Sequence, residues 1–287
     1  MTCRLCGVPS HRAFDHTVLG RHQVGYFTCE GCGSLQTEPP YWLDEAYAIE
    51  GVHIDVGQAA RVLQTWLRLC LMLERIGFDR SLLCIDYGSS AGLLARLMRD
   101  AGYDYRVHDR YDTGKYANYF RVDSMQGLRP GLVSAFEVFE HFPDPAHSLH
   151  EILSVEPALV VFTTVFWEDQ GRDWGYLVPI CGQHVFFYTR RGLAAFADRY
   201  GYDLTPCLDL WVLVRRNSAY ATALPAAGAA PVDAAFAGRM VTEVGWGTAT
   251  TERDHAYAME RFGRELAQRA TPPPLSLFQR VKAAIAG

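Results

Sequence analysis

Residues 82–92 of the chain read Leu82-Leu83-Cys84-Ile85-Asp86-Tyr87-Gly88-Ser89-Ser90-Ala91-Gly92. An apolar run ends at an acidic residue, a turn of small residues follows, and an amphipathic segment begins at Leu93. This order predicts a strand, a tight loop and the start of a helix. Such a loop allows a ligand to lie close to backbone amides at the positive end of a helix.

A second acidic residue follows at a spacing that suits a nucleoside-binding fold. The short apolar segment containing Tyr105 and Val107 ends at Asp109, twenty-three positions after Asp86. An acid at the tip of the second strand of a βαβ unit is placed to accept hydrogen bonds from ribose hydroxyls. The two acids together predict a cofactor that contains a nucleoside.

The glycine loop indicates which cofactor this is. Asp86, Gly88, Ser90 and Gly92 form the order D-x-G-x-S-x-G, which resembles motif I of the class I S-adenosylmethionine (SAM) methyltransferases. The run AFEVFEHFPDP at 135–145 resembles the fourth-strand signature of the same superfamily. The resemblance covers about residues 57–216. It implies an α/β fold with a Rossmann-like, seven-stranded, mostly parallel sheet.

The resemblance also implies which residues bind SAM. The acid and loop of motif I would hold the methionine part, and the acid after the second strand would hold the ribose. A Val-Asp-Ser segment at 122–124 would lie near the adenine. Apart from the resemblance, Glu137 and Glu140 follow the fourth strand and are candidates either for the base or for a contact with the edge of the cofactor. The expected cofactor-binding residues are Asp86, Gly88, Ser90, Gly92, Asp109, Asp123, Ser124 and Glu137.

The alternation of apolar and amphipathic segments predicts a parallel sheet with helices on both faces. Strands are expected near residues 82–86, 104–109, 118–122, 131–137 and 158–163. Helices are expected near 55–76, 91–101, 145–154 and 190–200. Residues 204–214 are expected to contain the last two strands, with the final one antiparallel, as in the resembling family.

Three regions are predicted along the chain. Residues 1–40 form a cysteine module, residues 41–216 the methyltransferase domain, and residues 217–287 a linker with C-terminal helices. Within the last region, residues 218–235 are rich in Ala and Pro and predict an irregular linker. A charged helix is expected at 252–270, followed by a short amphipathic end at 275–282. We expect this end to dock on the body; contact with a partner or a membrane is the alternative.

Four N-terminal cysteines have the spacing of a metal site. Cys3 and Cys6 form one C-x2-C pair, and Cys29 and Cys32 form a second pair after 22 intervening residues. Four thiolates at this spacing predict a tetrahedral, structural Zn²⁺ site in a zinc-ribbon module, with disulfides or unused thiols as the alternatives. A closed site of this kind has no open position for chemistry. His11, His16 and His22 lie between the pairs and are alternative ligands.

Composition limits the partners and the compartment. The formal net charge of −5 argues against broad adhesion to nucleic acid or to an anionic membrane. The chain opens Met-Thr-Cys-Arg without a hydrophobic signal, and no apolar run is long enough to span a bilayer. We therefore expect a cytoplasmic protein with reduced thiols, in which Cys70, Cys84 and Cys207 are core residues. The sequence does not indicate the oligomeric state.

Two histidines follow the carboxyl ends of predicted strands, where open α/β sheets bind ligands. His141 follows the fourth strand, beside Glu140, and His184 follows the fifth. A histidine can take the proton of an oxygen acceptor at neutral pH, so we expect His184, His141 and Glu140 to be catalytic residues. The alternatives are a capping histidine at 141 and a structural loop histidine at 184. The aromatic residues around the second loop either stack on a sugar acceptor or form core.

A closer resemblance concerns the acceptor. A zinc module ahead of a SAM domain is similar to nucleotide-sugar methyltransferases of antibiotic and polysaccharide pathways, including sugar C-methyltransferases. Those enzymes carry a Y-x-E-H run after the fifth strand, and here residues 181–184 read Cys-Gly-Gln-His. Only the histidine is retained. We therefore expect O-methylation of a small sugar-like or secondary-metabolite acceptor.

Three other functions are compatible with parts of the sequence. An RNA methyltransferase would use the cysteine module to grip nucleic acid, but residues 1–40 contain only Arg4, Arg12 and Arg21 as basic residues. A non-catalytic scaffold or SAM sensor would keep the fold without turnover. A nicotinamide oxidoreductase would need glycine where Ser90 lies.

Overall fold

The computed structural model describes residues 1–48, 57–111, 114–229 and 249–270. The chain forms two compact units, residues 1–246 and 247–287. In the second unit, residues 249–270 form a single long helix. The described helices do not include one that is long and apolar enough to cross a membrane.

The first unit begins with a small antiparallel sheet. Its first three strands are β1 (Ser10–Val18), β2 (His22–Cys29) and β3 (Leu35–Thr37), and a short helix, α1 (Leu43–Ala48), follows them. Strands β1 and β2 pair antiparallel and form a hairpin between the two cysteine pairs. The fourth strand of this sheet, Phe186–Phe187, comes from much later in the chain and pairs with β3.

Strands and helices then alternate as the sequence predicts. In chain order the elements are α2 (Gln58–Arg75), β4 (Leu83–Tyr87), α3 (Leu93–Asp100), β5 (Asp104–His108), β6 (Leu132–Phe136), α4 (Pro145–Ser154), β7 (Leu159–Thr163), β8 (Phe186–Phe187), α5 (Arg190–Asp198), β9 (Tyr202–Cys207), β10 (Leu210–Arg215), α6 (Leu224–Ala229) and α7 (Ala249–Ala270).

The main sheet has six strands within the described residues, in the order β5-β4-β6-β7-β10-β9. Strands β5, β4, β6 and β7 are mutually parallel. Strand β10 runs antiparallel to both of its neighbours, which confirms the prediction of an antiparallel final strand. The order reverses between β4 and β6, where open α/β sheets bind ligands at their carboxyl edge.

The prediction of a strand at 118–122 was wrong, and the described residues contain six strands of the main sheet, so the expected seven are not confirmed. Residues Asn118–Phe120 form a 3₁₀ turn, and the segment contacts the sheet through one isolated bridge between Val107 and Arg121. The amide of Phe120 donates to Ala117 within the turn, and the Arg99 guanidinium stacks 3.7 Å from the Phe120 ring centroid. The 3₁₀ turn and the stacking of Phe120 on Arg99 therefore replace the backbone hydrogen bonds that a strand at 118–122 would form with β5.

The hydrophobic core lies on both faces of the sheet because successive side chains of a strand point to opposite sides. On β4, Cys84 belongs to the cluster under α2 and α3, and Ile85 to the cluster under α4 and α5. Burial of an aliphatic side chain of this size stabilises the fold by about 1.5–3 kcal/mol. Cys70, Cys84 and Cys207 are buried, as expected for core thiols.

The C-terminal region differs from expectation in one place. Residues 218–235 were expected to be irregular, but α6 covers 224–229, where Leu224 and Ala227 are buried against the core. These apolar contacts outweigh the weak helix propensity of a segment that contains Pro and Gly. The helix expected at 252–270 is confirmed as α7. The amphipathic end expected at 275–282 lies outside the described residues.

Candidate active site

The loop between β4 and α3 has the backbone that its sequence predicts. Gly88 and Gly92 have φ of 69° and 76°, and Ser90, in the remaining slot, also adopts a left-handed φ of 48°. A Cβ added at Gly88 would lie 2.7 Å from Val138 Cγ2, so the backbone here passes directly against the residues that follow β6. Gly92 caps α3 without a side-chain hydrogen bond, and the buried Ser89 hydroxyl has no partner within the described residues. The loop thus offers polar groups to a ligand.

Asp109 lies at this loop, as the sequence predicts for an acid after the second strand. One carboxylate oxygen accepts from the Ser90 amide at 2.8 Å, and the other accepts from the Tyr111 amide at 2.7 Å. The Arg121 guanidinium donates to the backbone oxygen of Asp109. These contacts hold the acid beside the glycine loop.

Asp86 lies inside the sheet. It pairs in register with Ser134 of β6, and the Ser134 hydroxyl donates to its carboxylate at 2.7 Å. Burial, together with the nearby charge of Asp109, raises the pKa of Asp86 to about 7, against the lowering effect of the Ser134 hydrogen bond.

The other expected cofactor residues lie on the surface. Glu137 follows β6 in a left-handed conformation, with φ of 55°, and its amide donates to the Thr163 hydroxyl. The side chain of Asp123 is 95% exposed and approaches Arg121, and the Ser124 hydroxyl caps the amide of Gln126. No contact in the described part of the chain joins Asp123 or Ser124 to the glycine loop.

Val138 connects the glycine loop to the first histidine. It packs against Gly88 and is followed directly by a 3₁₀ turn, Phe139–His141. Phe139 is buried and stacks on Phe162 of β7 at 4.5 Å between ring centroids. The turn therefore places Glu140 and His141 beside the expected cofactor loop.

The structure brings His141 and His184 together, although 42 residues separate them. Their ring centroids lie 4.9 Å apart in an edge-to-face arrangement. His184 Nδ1 donates to the carbonyl oxygen of Tyr176 at 2.6 Å. Because a carbonyl only accepts, the proton of the neutral ring is on Nδ1, and Nε2 carries a lone pair.

Burial keeps both histidine rings neutral. It lowers the pKa of His141 to about 3, with a further lowering from the neighbouring His184. Burial also lowers the pKa of His184, against the raising effects of the Tyr176 carbonyl and the charge of Glu137. A neutral imidazole is the form that can accept a proton.

Glu140 is fully buried behind the two rings. The Tyr176 hydroxyl donates to one carboxylate oxygen at 2.7 Å, and the Thr164 hydroxyl donates to the other at 3.2 Å. Burial and the nearby charge of Glu137 together raise the pKa of Glu140 to about 8, against the lowering effect of the Tyr176 and Thr164 hydrogen bonds. Ligating atoms of Glu140, His141 and His184 lie within 4.8 Å of one another, so the three expected catalytic residues form one cluster.

Helix α1 and the residue before it hold the loop that carries His184. The Trp42 indole donates to the carbonyl of Gly182 at 2.8 Å, and the side-chain amide of Gln183 donates to the carbonyl of Ala46 at 3.1 Å. The Tyr47 hydroxyl lies 3.3 Å from His141 Nδ1, and its ring stacks on Tyr111 at 4.6 Å between centroids. Tyr47 therefore links the histidine cluster to the loop that carries Asp109.

Sequence reasoning missed Tyr47 and Thr164, because neither lies in a recognisable motif. Tyr176 was noticed only as one member of an aromatic run. In that run, Phe166, Trp167, Phe187 and Tyr188 are buried core residues, while Trp174 and Tyr176 are half-buried. The position of the run after a strand end is the signal that points to Tyr176.

The four N-terminal cysteines converge at the edge of the small sheet. The sulfur atoms of Cys3 and Cys32 are 3.7 Å apart, those of Cys6 and Cys29 are 3.5 Å apart, and all four lie within 4.8 Å of one another. The amides of Gly31 and Cys32 point at the Cys29 sulfur, at 3.3 and 3.4 Å. His11, His16 and His22 are not part of this cluster, and His22 contacts Glu45 at 3.0 Å.

A family model matches the part of the chain that contains this site. The family model described as "Methyltransferase domain" matches residues 59–206, which is more than half of the chain. A comparison with curated protein sequences gives no match.

Several solved structures are similar to the chain. Magnesium protoporphyrin IX methyltransferase from Synechocystis PCC 6803 with bound S-adenosylhomocysteine (SAH) is 13% identical, with a TM-score of 0.43 over 61% of this chain and 95% of that one. The Burkholderia thailandensis 1,6-didemethyltoxoflavin-N1-methyltransferase is 12% identical, with a TM-score of 0.43 over 71% and 99%. An O-methyltransferase family protein from the same organism is 13% identical, with a TM-score of 0.44 over 60% and 61%.

The family match spans the glycine loop, Asp109 and both histidine loops, the elements that meet at the carboxyl edge of the sheet. The chain therefore belongs to the methyltransferase-domain family and is a class I SAM-dependent methyltransferase.

Proposed function

We propose that the enzyme transfers the methyl group of SAM to a hydroxyl oxygen of a small, sugar-like or secondary-metabolite acceptor, with His184 as the general base. The observation that carries this proposal is the hydrogen bond from His184 Nδ1 to the Tyr176 carbonyl. It leaves Nε2 as a proton acceptor in a cluster that adjoins the glycine loop through Val138.

The protein's part in the reaction is to position and deprotonate the acceptor. SAM supplies an electrophilic methyl group, and the acceptor oxygen must lie about 3 Å from it and in line with the breaking bond. As the new carbon–oxygen bond forms, the hydroxyl proton passes to His184 Nε2. The charge of Glu137 favours the resulting imidazolium, since it raises the pKa of His184. A base of this kind contributes about 10²–10⁴-fold to the rate.

His141 and Glu140 have supporting roles in this proposal. His141 is neutral and lies edge-on to His184, where it can hydrogen-bond a second hydroxyl of the acceptor. Glu140 accepts hydrogen bonds from Tyr176 and Thr164, and so fixes the residue whose carbonyl orients His184. A neighbouring pair of hydroxyls, as in a sugar, matches two neighbouring imidazoles.

The surroundings of the cluster favour a small acceptor over a nucleic acid. Trp174 packs against Tyr176 at 5.2 Å between ring centroids, and Tyr176 against His184 at 4.7 Å, so flat rings surround the proton acceptor. Such rings stack on sugar faces. The net charge of −5 gives no general attraction for a phosphate backbone.

We also propose that Cys3, Cys6, Cys29 and Cys32 hold a structural Zn²⁺ ion in a reducing, cytoplasmic compartment. Thiolates at 2.3 Å around a tetrahedral zinc would lie about 3.8 Å apart, close to the separations of 3.7 Å for Cys3 and Cys32 and 3.5 Å for Cys6 and Cys29. The two amides that point at Cys29 are suited to a thiolate. Four sulfur ligands leave no open position, so the ion would stabilise the fold without reacting.

The test is a methyl-transfer screen of nucleotide sugars and hydroxylated metabolites with ¹³C-methyl SAM. SAH calorimetry comes first and establishes that the cofactor site is competent. Products with a methyl ether carbon in the NMR spectrum would support the proposal. SAH binding together with methyl groups found only on carbon or nitrogen would contradict it.

A further inference from the structure

Arg4 lies inside the first cysteine pair, between Cys3 and Cys6, yet its side chain leaves the cysteine cluster. Its guanidinium reaches three backbone carbonyls from distant parts of the chain. Nη2 donates to Val185 at 2.7 Å and to Thr37 at 3.0 Å, and Nη1 donates to Pro143 at 2.9 Å. Nε donates to the Gln36 side chain at 3.3 Å.

Two of these carbonyls belong to the two loops that carry His141 and His184. Val185 directly follows His184, and Pro143 lies two residues after His141. The Val185 amide donates to the carbonyl of Glu140 at 2.9 Å, so the two loops are also joined to each other. One guanidinium thus closes a small ring of hydrogen bonds around the backbone that presents the histidine cluster.

Only arginine has the donors for this arrangement. Its planar group carries five N–H bonds in a fixed fork, whereas lysine offers a single compact charge. The guanidinium also lies 5.8 Å from the ring centroid of Phe186, within the range of a cation–π contact. Phe186 is the first residue of β8, which pairs with β3 of the cysteine module.

We propose that Arg4 is a positioning residue of the acceptor site, through which the cysteine module sets the relative placement of His141 and His184. The guanidinium touches neither imidazole. It holds the backbone of both loops, and so it maintains the short contact between His184 and Tyr176. The inference rests on the proposed roles of the two histidines, but its geometry does not depend on the identity of the acceptor.

The test compares Arg4→Lys and Arg4→Ala with Arg191→Ala in the full-length, zinc-loaded protein. Arg191 is the matched control because it also bonds a backbone carbonyl of the cysteine module, that of Gly31 at 2.8 Å, away from the histidines. Zinc content and thermal melting are measured for each variant. If Arg4→Ala loses zinc or fails to fold, Arg4→Lys, which keeps the charge, decides the test.

The readout is the state of the histidine rings and of the Val185 amide. ¹⁵N NMR of the imidazoles should show a single Nδ1–H tautomer for His184 in the wild type and in Arg191→Ala, and a mixture in the Arg4 variants. Hydrogen exchange at the Val185 amide should accelerate about tenfold or more relative to amides of the central sheet. Retention of the single tautomer and of Val185 protection in Arg4→Lys would overturn the proposal.

These measurements need no methyl acceptor, so a failed acceptor screen leaves them interpretable. Once an acceptor is known, the Arg4 variants should lower kcat about tenfold with little change in the KM for SAM. A loss of SAM affinity with normal histidine spectra would also contradict the positioning role.

Discussion

His184 Nδ1 lies 2.6 Å from the carbonyl oxygen of Tyr176, and the Tyr176 hydroxyl lies 2.7 Å from Glu140. One tyrosine therefore fixes the imidazole with its backbone and the buried acid with its side chain. The arrangement gives His184 a defined tautomer, with the free lone pair on Nε2. A proton acceptor of known direction is what a general base requires.

The first prediction concerns this base. His184→Gln should lower methyl transfer by about 10²–10⁴-fold, because the acceptor proton then has no recipient. SAH affinity should stay within about twofold, since His184 is not expected to bind the cofactor. The measurements are initial rates with a hydroxyl acceptor and calorimetry with SAH.

The matched control for this prediction is His150→Gln. His150 is a surface histidine whose ring bonds the Tyr200 hydroxyl at 2.9 Å, outside the histidine cluster. Its replacement should leave the rate unchanged. Turnover of His184→Gln within a few-fold of the wild type would assign the base to another group.

Much of the fold is predictable from the sequence because the central strands β4, β6 and β7 are mostly apolar runs. Residues 159–163, Leu-Val-Val-Phe-Thr, are almost completely buried, and such a run indicates a strand covered on both faces. The error at residues 118–122 has a tertiary cause. The Phe120 ring packs under Arg99, a contact with a distant helix that local pattern does not reveal.

The candidate site is predictable where its residues lie in motifs, such as Asp109 and the glycine loop. Contacts across long separations are not predictable in this way. Thr164 meets Glu140, Tyr47 meets His141, and Arg4 meets Val185, a separation of 181 residues. None of these three side chains lies in a sequence motif, and the partner of each depends on how the two sheets pack.

A second prediction concerns the buried acid and the pH dependence of stability. The pKa of Glu140 is about 8 in the folded protein, against 4.5 for an unperturbed glutamate. The stabilising contribution of its protonated form is therefore complete below pH 4.5 and is lost as pH rises toward 8. Glu140→Gln does not titrate and can keep hydrogen bonds to Tyr176 and Thr164.

Denaturant unfolding of the two proteins between pH 4.5 and 8.5 should show this difference. The free energy of unfolding of Glu140→Gln should rise relative to that of the wild type as pH increases. The gain should be on the order of 4 kcal/mol at pH 8, because a limiting slope of about 1.4 kcal/mol per pH unit acts over about three units between the two pKa values. Parallel curves would show that Glu140 ionises normally.

A third prediction concerns Gly88. An alanine Cβ there would lie 2.7 Å from Val138 and would push apart the glycine loop and the turn that carries His141. Gly88→Ala should weaken SAH binding at least about tenfold and lower stability by about 1–3 kcal/mol. Calorimetry and thermal unfolding measure the two effects.

Gly77→Ala separates the steric clash from backbone strain. Gly77 has a similar φ of 63°, but nothing lies within 4 Å of its added Cβ. This variant should lose only about 1 kcal/mol of stability and bind SAH normally. Equal SAH affinities for the two variants would mean that the approach of Gly88 to Val138 is not needed for binding.

A fourth prediction concerns the metal. The wild-type protein should contain about one zinc ion per chain, and Cys29→Ser should contain none, because a four-sulfur site loses a ligand. Its melting temperature should fall, since metal binding is coupled to folding. Cys181→Ser is the control, because Cys181 is not part of the cluster and should leave zinc content unchanged.

The last prediction compares the two acids expected to bind the nucleoside part of the cofactor. Asp109 accepts the amides of Ser90 and Tyr111 and lies against the glycine loop, whereas Asp123 is 95% exposed beside Arg121. Asp109→Ala should weaken SAH binding by about 1–3 kcal/mol, the cost of leaving charged hydrogen bonds unmade.

Asp123→Ala should bind SAH with unchanged affinity, because the structure places no contact between its side chain and the loop. Calorimetry under identical conditions decides between the two acids. Equal losses in both variants would mean that residues 121–124 close on the cofactor when it binds. If only Asp123→Ala weakens SAH binding, the ribose contact belongs to Asp123 and not to Asp109. The cofactor would then lie at a different position along the sheet edge.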